Sequence, residues 1–60
     1  MPSEETRRLL KVFGMAVTRL EDAIDHQAPV DEVVRWDREV AERMREVIAF
    51  VERLRSRRIQ

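Results

Sequence analysis

The chain has 60 residues, with twelve basic and twelve acidic side chains and no cysteine. A unit of this size buries only about 60% of the surface its unfolded form exposes, and without cysteine it has neither disulfides nor thiolate metal ligands to support it. Oligomerisation is therefore the expected source of stability, and zero net charge disfavours a non-specific polyanion binder on composition alone.

No apolar run approaches the roughly 20 residues needed to span a bilayer. The opening "MPSEETRR" carries acid and a helix start where a secretory leader would carry basic and then apolar residues. A cytoplasmic location is the expectation. Eleven of the twelve basic residues are Arg, which suits codon bias as well as a choice of planar, bidentate donors.

One glycine and two prolines leave few places to turn, and charged residues mixed with aliphatics make a helical composition. Residues 1–60 read as a single unit. Helix 1 is predicted from about Ser3 to His26: Ser3 is a candidate N-cap, and Glu4 and Glu5 suit the positive end of the helix dipole. The break is at "HQAPVDE", with a turn at about residues 27–28. Pro29 disfavours helical geometry at Ala28 and suits the first turn of helix 2, predicted to about Arg57. Two long helices and a short connection predict an all-α antiparallel hairpin, expected to dimerise into a four-helix bundle. Mid-helix Gly14 either permits a close crossing or is merely tolerated.

In helix 1, Leu10, Phe13, Val17, Leu20 and Ile24 recur at spacings of three and four, the pattern of a packed seam; Leu9, Ala16 and Ala23 widen it. In helix 2 the seam is Val30, Val33, Asp37, Val40, Met44, Val47, Val51 and Leu54, flanked by Val34, Ala41 and Ile48 on one side and by Trp36 and Phe50 on the other. The apolar arc of helix 2 covers roughly 150°, wider than the ~100° one neighbour needs. A homodimer satisfies both helices, and a tetramer is the larger alternative. The oligomer interface is read as these seam residues, Leu10 to Ile24 and Val33 to Leu54, with their helix 2 flanks. Val12 and Met15 fall outside the seam as a possible second contact.

Asp37 stands in the middle of the apolar arc beside the only tryptophan. A charge there must be paired or hydrated. In a hairpin turning near residue 28, position 37 lies level with Leu20, making Arg19, of its own or of the other subunit, the nearest expected partner. Single polar seam residues can fix register and oligomer state, which is the role expected of Asp37. Away from the seam, Asp31 with Arg35 and Glu39 with Arg43 are i, i+4 pairs of a solvated face.

The chemistry available is sparse. With one histidine, no cysteine and no tyrosine, the chain does not assemble a nucleophile, base and orienting group. The Glu-x-x-His motif of diiron bundles is absent: "EDAIDH" puts Asp22 four residues before His26, and a solvated pair is the expected reading. Phosphate loops and zinc spacings are absent too. No cofactor, metal or catalytic role is expected.

Charge is unevenly placed. Antiparallel folding gathers Arg7, Arg8, Lys11, Arg53, Arg55, Arg57 and Arg58 against Glu4, Glu5 and Glu52 at the open end, a balance of +4. The loop end, residues 18–38, sets three Arg against six acids, a balance of −3. Helix dipoles account for the C-terminal Arg cluster but not for Arg7, Arg8 and Lys11. This cationic end is the candidate polyanion contact.

In size and expected architecture the chain resembles the plasmid RNA-binding repressors of primer maturation. The "LEDAIDHQAPVDEVV" stretch resembles the hairpin of the exonuclease VII small subunit, with an acidic helix end, a Pro-containing turn and a second amphipathic helix. The glycine usual before that turn, and the second glycine in the following helix, have no counterparts. Neither resemblance transfers a function or a residue. The function expected is a non-catalytic, homo-oligomeric interaction or adaptor module binding a partner protein. The alternative is a small nucleic-acid-binding regulator using the Arg-rich end.

Overall fold

The computed structural model describes residues 1–59, and Gln60 lies outside the described residues. Helix α1 spans Glu4–Asp25 and helix α2 spans Val30–Ile59, two residues beyond the sequence expectation. They pack against each other as a hairpin, a rod of 48 × 19 × 12 Å. No strand occurs among the described residues.

Each helix end has a local cause. The Ser3 hydroxyl accepts a hydrogen bond from the Thr6 amide at 3.1 Å, satisfying one of the free donors of the first turn. At the other end of α1 the Ala28 amide donates to the Ala23 carbonyl at 2.9 Å and the Gln27 amide to the Ile24 carbonyl at 3.1 Å. This paired return is a Schellman motif, with Gln27 in the left-handed position at φ 54°. Pro29 follows, and its carbonyl takes the first bonds of α2, from the amides of Glu32 at 3.0 Å and Val33 at 3.1 Å.

The interior is thin. Ala16, Ala23 and Phe50 are the buried hydrophobic residues, at 3–7% exposure. Around them Leu9, Val12, Phe13 and Leu20 of α1 and Val33, Trp36, Val40, Val47 and Val51 of α2 are half-buried. The line of closest packing on α1 thus follows the small alanines rather than the whole Leu10–Phe13–Val17–Leu20–Ile24 seam. Alanine on that line lets the helices approach closely, and it leaves Leu10, Val17 and Ile24 outside. Val12 belongs to the half-buried set, so of the suggested second contact only Met15 remains exposed.

Gly14 takes no part in the crossing. A Cβ built on it meets nothing within 4 Å, and its φ is not positive. Gly14→Ala is therefore expected to stabilise the helix by about 0.5–1 kcal/mol. Gln27→Gly should add about 1 kcal/mol by relieving the left-handed side chain. Urea unfolding at fixed protein concentration checks both, and a loss of stability in either variant would show that the residue makes a stabilising contact of its own.

Candidate functional site

The two sides of the hairpin differ in chemistry, and the difference follows from helical phase. The packed line of α1 runs through Leu9, Ala16 and Ala23. One residue further, about 100° round the helix, come Leu10, Val17 and Ile24, all exposed. The packed line of α2 runs through Val33, Trp36, Val40, Val47 and Phe50. One residue beyond these come Val34, Asp37, Ala41, Ile48 and Val51, with Met44 and Val30 on the same strip. Because the helices are antiparallel, an equal angular step from each packed line leads to the same side of the hairpin. Leu10, Val17, Ile24, Val30, Val34, Met44 and Ile48 therefore form one apolar face, each 39–79% exposed.

One residue before each packed line the chain is mostly charged: Arg8, Arg19, Asp22, Glu32, Arg35, Glu39 and Glu46. Met15, before Ala16, and Ala49, before Phe50, are apolar exceptions, and both are exposed. Ion pairs lie on this opposite side. Arg43 donates through Nε to Glu39 at 3.0 Å and through Nη1 to Glu46 at 2.9 Å. These two hydrogen bonds, Glu39 first, push the Arg43 guanidinium above its ordinary pKa. Arg53 reaches across the hairpin to Glu5 at 3.2 Å. Surface pairs of this kind contribute little stability; their value here is to mark a solvated side.

Two of the expected pairings are not formed. Arg19 does not meet Asp37: its guanidinium lies 5.2 Å from the Trp36 ring centroid, on the charged side. Arg35 lies 4.9 Å from the same ring, so its contact is with Trp36 rather than Asp31. The reason is phase: Asp37 is one residue past Trp36 and faces away from both guanidiniums. Trp36 was expected at a flank of the seam, but its contacts with two guanidiniums were not, although an Arg immediately before a lone tryptophan was a signal. Asp37 itself is exposed, within the apolar face.

Of the other residues read as oligomer interface, Leu10, Val17, Ile24, Val34, Met44 and Ile48 lie on the open apolar face. Phe13, Leu20, Val33, Trp36, Val40, Val47, Phe50 and Val51 are wholly or half buried within the hairpin, and Ala41 is half-buried at the edge of the face. Leu54 overhangs near the open end, lining a hollow with Glu5, Phe50, Arg53 and Arg57.

Arg7, Arg8, Lys11, Arg53, Arg55, Arg57 and Arg58 are all exposed around the open end. They encircle it rather than forming one stripe: Arg8, Arg53 and Arg57 are on the charged side, Arg55 is in phase with Asp37, and Arg7 and Lys11 are on the back of α1. At the loop end the His26 Nδ1–H donates to the Asp22 carbonyl at 2.8 Å. A hollow of about 270 Å³ beside it is lined by Arg19, Asp22, Glu32 and Trp36 among others. No group of three or more His, Asp or Glu that could hold a metal occurs among the described residues. None of their helices is long and apolar enough to cross a membrane.

No protein-family model matches the chain, and neither the curated proteins nor the solved structures compared with it contain a match.

Proposed function

We propose that the chain is a non-catalytic, homo-oligomeric interaction module: a helical hairpin that dimerises through its apolar face into a four-helix bundle and presents its charged side and ends to a partner protein in the cytoplasm. The observation that carries this reading is the imbalance, among the described residues, between three buried residues inside the hairpin and seven large apolar side chains exposed on one face. Full burial of such a side chain contributes about 1.5–3 kcal/mol, so covering the remaining half of seven contributes roughly 5–10 kcal/mol per copy. Two copies together exceed most of the cost of association, about 4–15 kcal/mol. A face of this size on an otherwise charged rod is an interaction site rather than scatter.

Asp37 is the exception within the face. Our reading keeps it as the residue that specifies register: a carboxylate at a bundle seam tolerates only an arrangement that leaves it water or a small neighbour.

A second reading has its own support, the balance of +4 at the open end with all seven cations exposed. On that reading the dimer is a nucleic-acid-binding regulator, its basic ends contacting phosphate.

Three outcomes test this. Val34→Glu with Ile48→Glu is expected to abolish self-association in gel filtration and to lower helical circular dichroism, because the isolated hairpin has little core; an unchanged dimer would place the interface elsewhere. Asp37→Leu is expected to raise stability by about 1–3 kcal/mol while producing mixed oligomers, in line with other replacements of buried charge. A single unchanged dimer would deny Asp37 any specificity role. For the second reading, a mobility shift with mixed RNA and DNA at low salt should disappear on changing Arg53, Arg55, Arg57 and Arg58 to Gln; no shift by the parent chain removes that reading.

A further inference from the structure

The exposed apolar residues are spaced symmetrically along each helix, and both patterns share one centre. On α1, Leu10 and Ile24 lie seven residues either side of Val17. On α2, Val34 and Met44 lie five residues either side of Glu39, and Val30 and Ile48 nine either side. The cross-hairpin contacts of Arg53 with Glu5 and of Arg19 with Trp36 set the register between the helices, and that register puts Val17 about level with Glu39.

A face that is the same read in either direction is the signature of an isologous two-fold contact, in which one patch meets a second copy of itself. We infer that two copies of this chain stack face to face about a two-fold axis lying across the hairpin at the level of Val17, with their loops at opposite ends. This rests on the homodimer proposed above and specifies its geometry.

In that arrangement α1 lies antiparallel on α1 of the second copy. Leu10 meets Ile24, and the two Val17 side chains meet at the axis. Helix α2 lies on the other α2, Val30 opposite Ile48 and Val34 opposite Met44. Asp37 then falls opposite Ala41, the smallest side chain on the face, which leaves its carboxylate room for water. Sliding the pair by one heptad would press Asp37 against Ile48 or Val34. The carboxylate thus selects the register.

The same spacing admits one other two-fold, along the length of the hairpin, with α1 of one copy over α2 of the other and both loops at one end. Charge separates the two. Loops at one end would set the +4 ends side by side and the −3 ends side by side. Loops at opposite ends lay each basic open end over the acidic turn of the other copy, bringing Arg53 level with the turn between Asp25 and Asp31.

The chain has no cysteine, so introduced thiols report on geometry without background. Leu10→Cys and Ile24→Cys variants are oxidised separately and as an equimolar mixture, with native mass spectrometry giving the oligomeric state of each sample. The expected result is a covalent dimer in the mixture and little in either variant alone, since a residue and its own copy stand fourteen residues apart, about 21 Å. A mixture of Leu10→Cys with Ile48→Cys should not cross-link. Cross-linking of that second mixture in place of the first overturns this arrangement in favour of loops at one end. Dimers with no cross-link in either mixture also overturn it, while leaving the homodimer standing. Monomers throughout, in the variants and the parent chain, refute the homodimer and this geometry with it.

Discussion

Two helices touch along a single line, and that line decides what each can bury. In this chain the line passes through Ala16 and Ala23 on α1, residues small enough to bring the backbones together but too small to bury much surface. Among the described residues Phe50 is the one large side chain that the hairpin encloses. Leu10, Val17 and Ile24 on the next strip of α1, and Val34, Met44 and Ile48 on that of α2, are left outside, on one side of the rod. The scarcity of interior and the presence of an apolar face are the same fact seen from two directions.

Charge follows the same phase. The side opposite the apolar face carries the Glu39–Arg43–Glu46 chain, the Glu5–Arg53 bridge and the guanidiniums laid over Trp36. These groups lie at a solvated surface, where such pairs contribute little to folding. The hairpin is thereby sided as well as amphipathic along each helix. That sidedness is what would let the second copy we propose cover one face without disturbing the other.

Much of this was legible from the residues. Period and capping signals located both helices within a few positions, because Ser3, Pro29 and the acidic first turns act locally. The seam on α2 was legible as an arc too wide for one neighbour. Less legible was how that arc divides: the sequence shows which residues are apolar, but whether Val17 or Ala16 faces α2 depends on how closely the backbones approach. Gln27 in the left-handed region escaped notice because nothing in a glutamine signals it, where a glycine would have. Within one hairpin the pairing expected for Asp37 does not form, for a related reason. Arg19 is level with it along the rod but on the other side, since being level says nothing about phase.

A hairpin with so thin an interior, we propose, depends on a second copy to hold it together. Sedimentation equilibrium of the parent chain, paired with helical circular dichroism over the same concentrations, measures this directly. The expected result is twice 7.2 kDa at micromolar concentration, with mass and helicity falling together on dilution as the thin interior of each hairpin is exposed. A stable, fully helical species of 7.2 kDa at every concentration would contradict it.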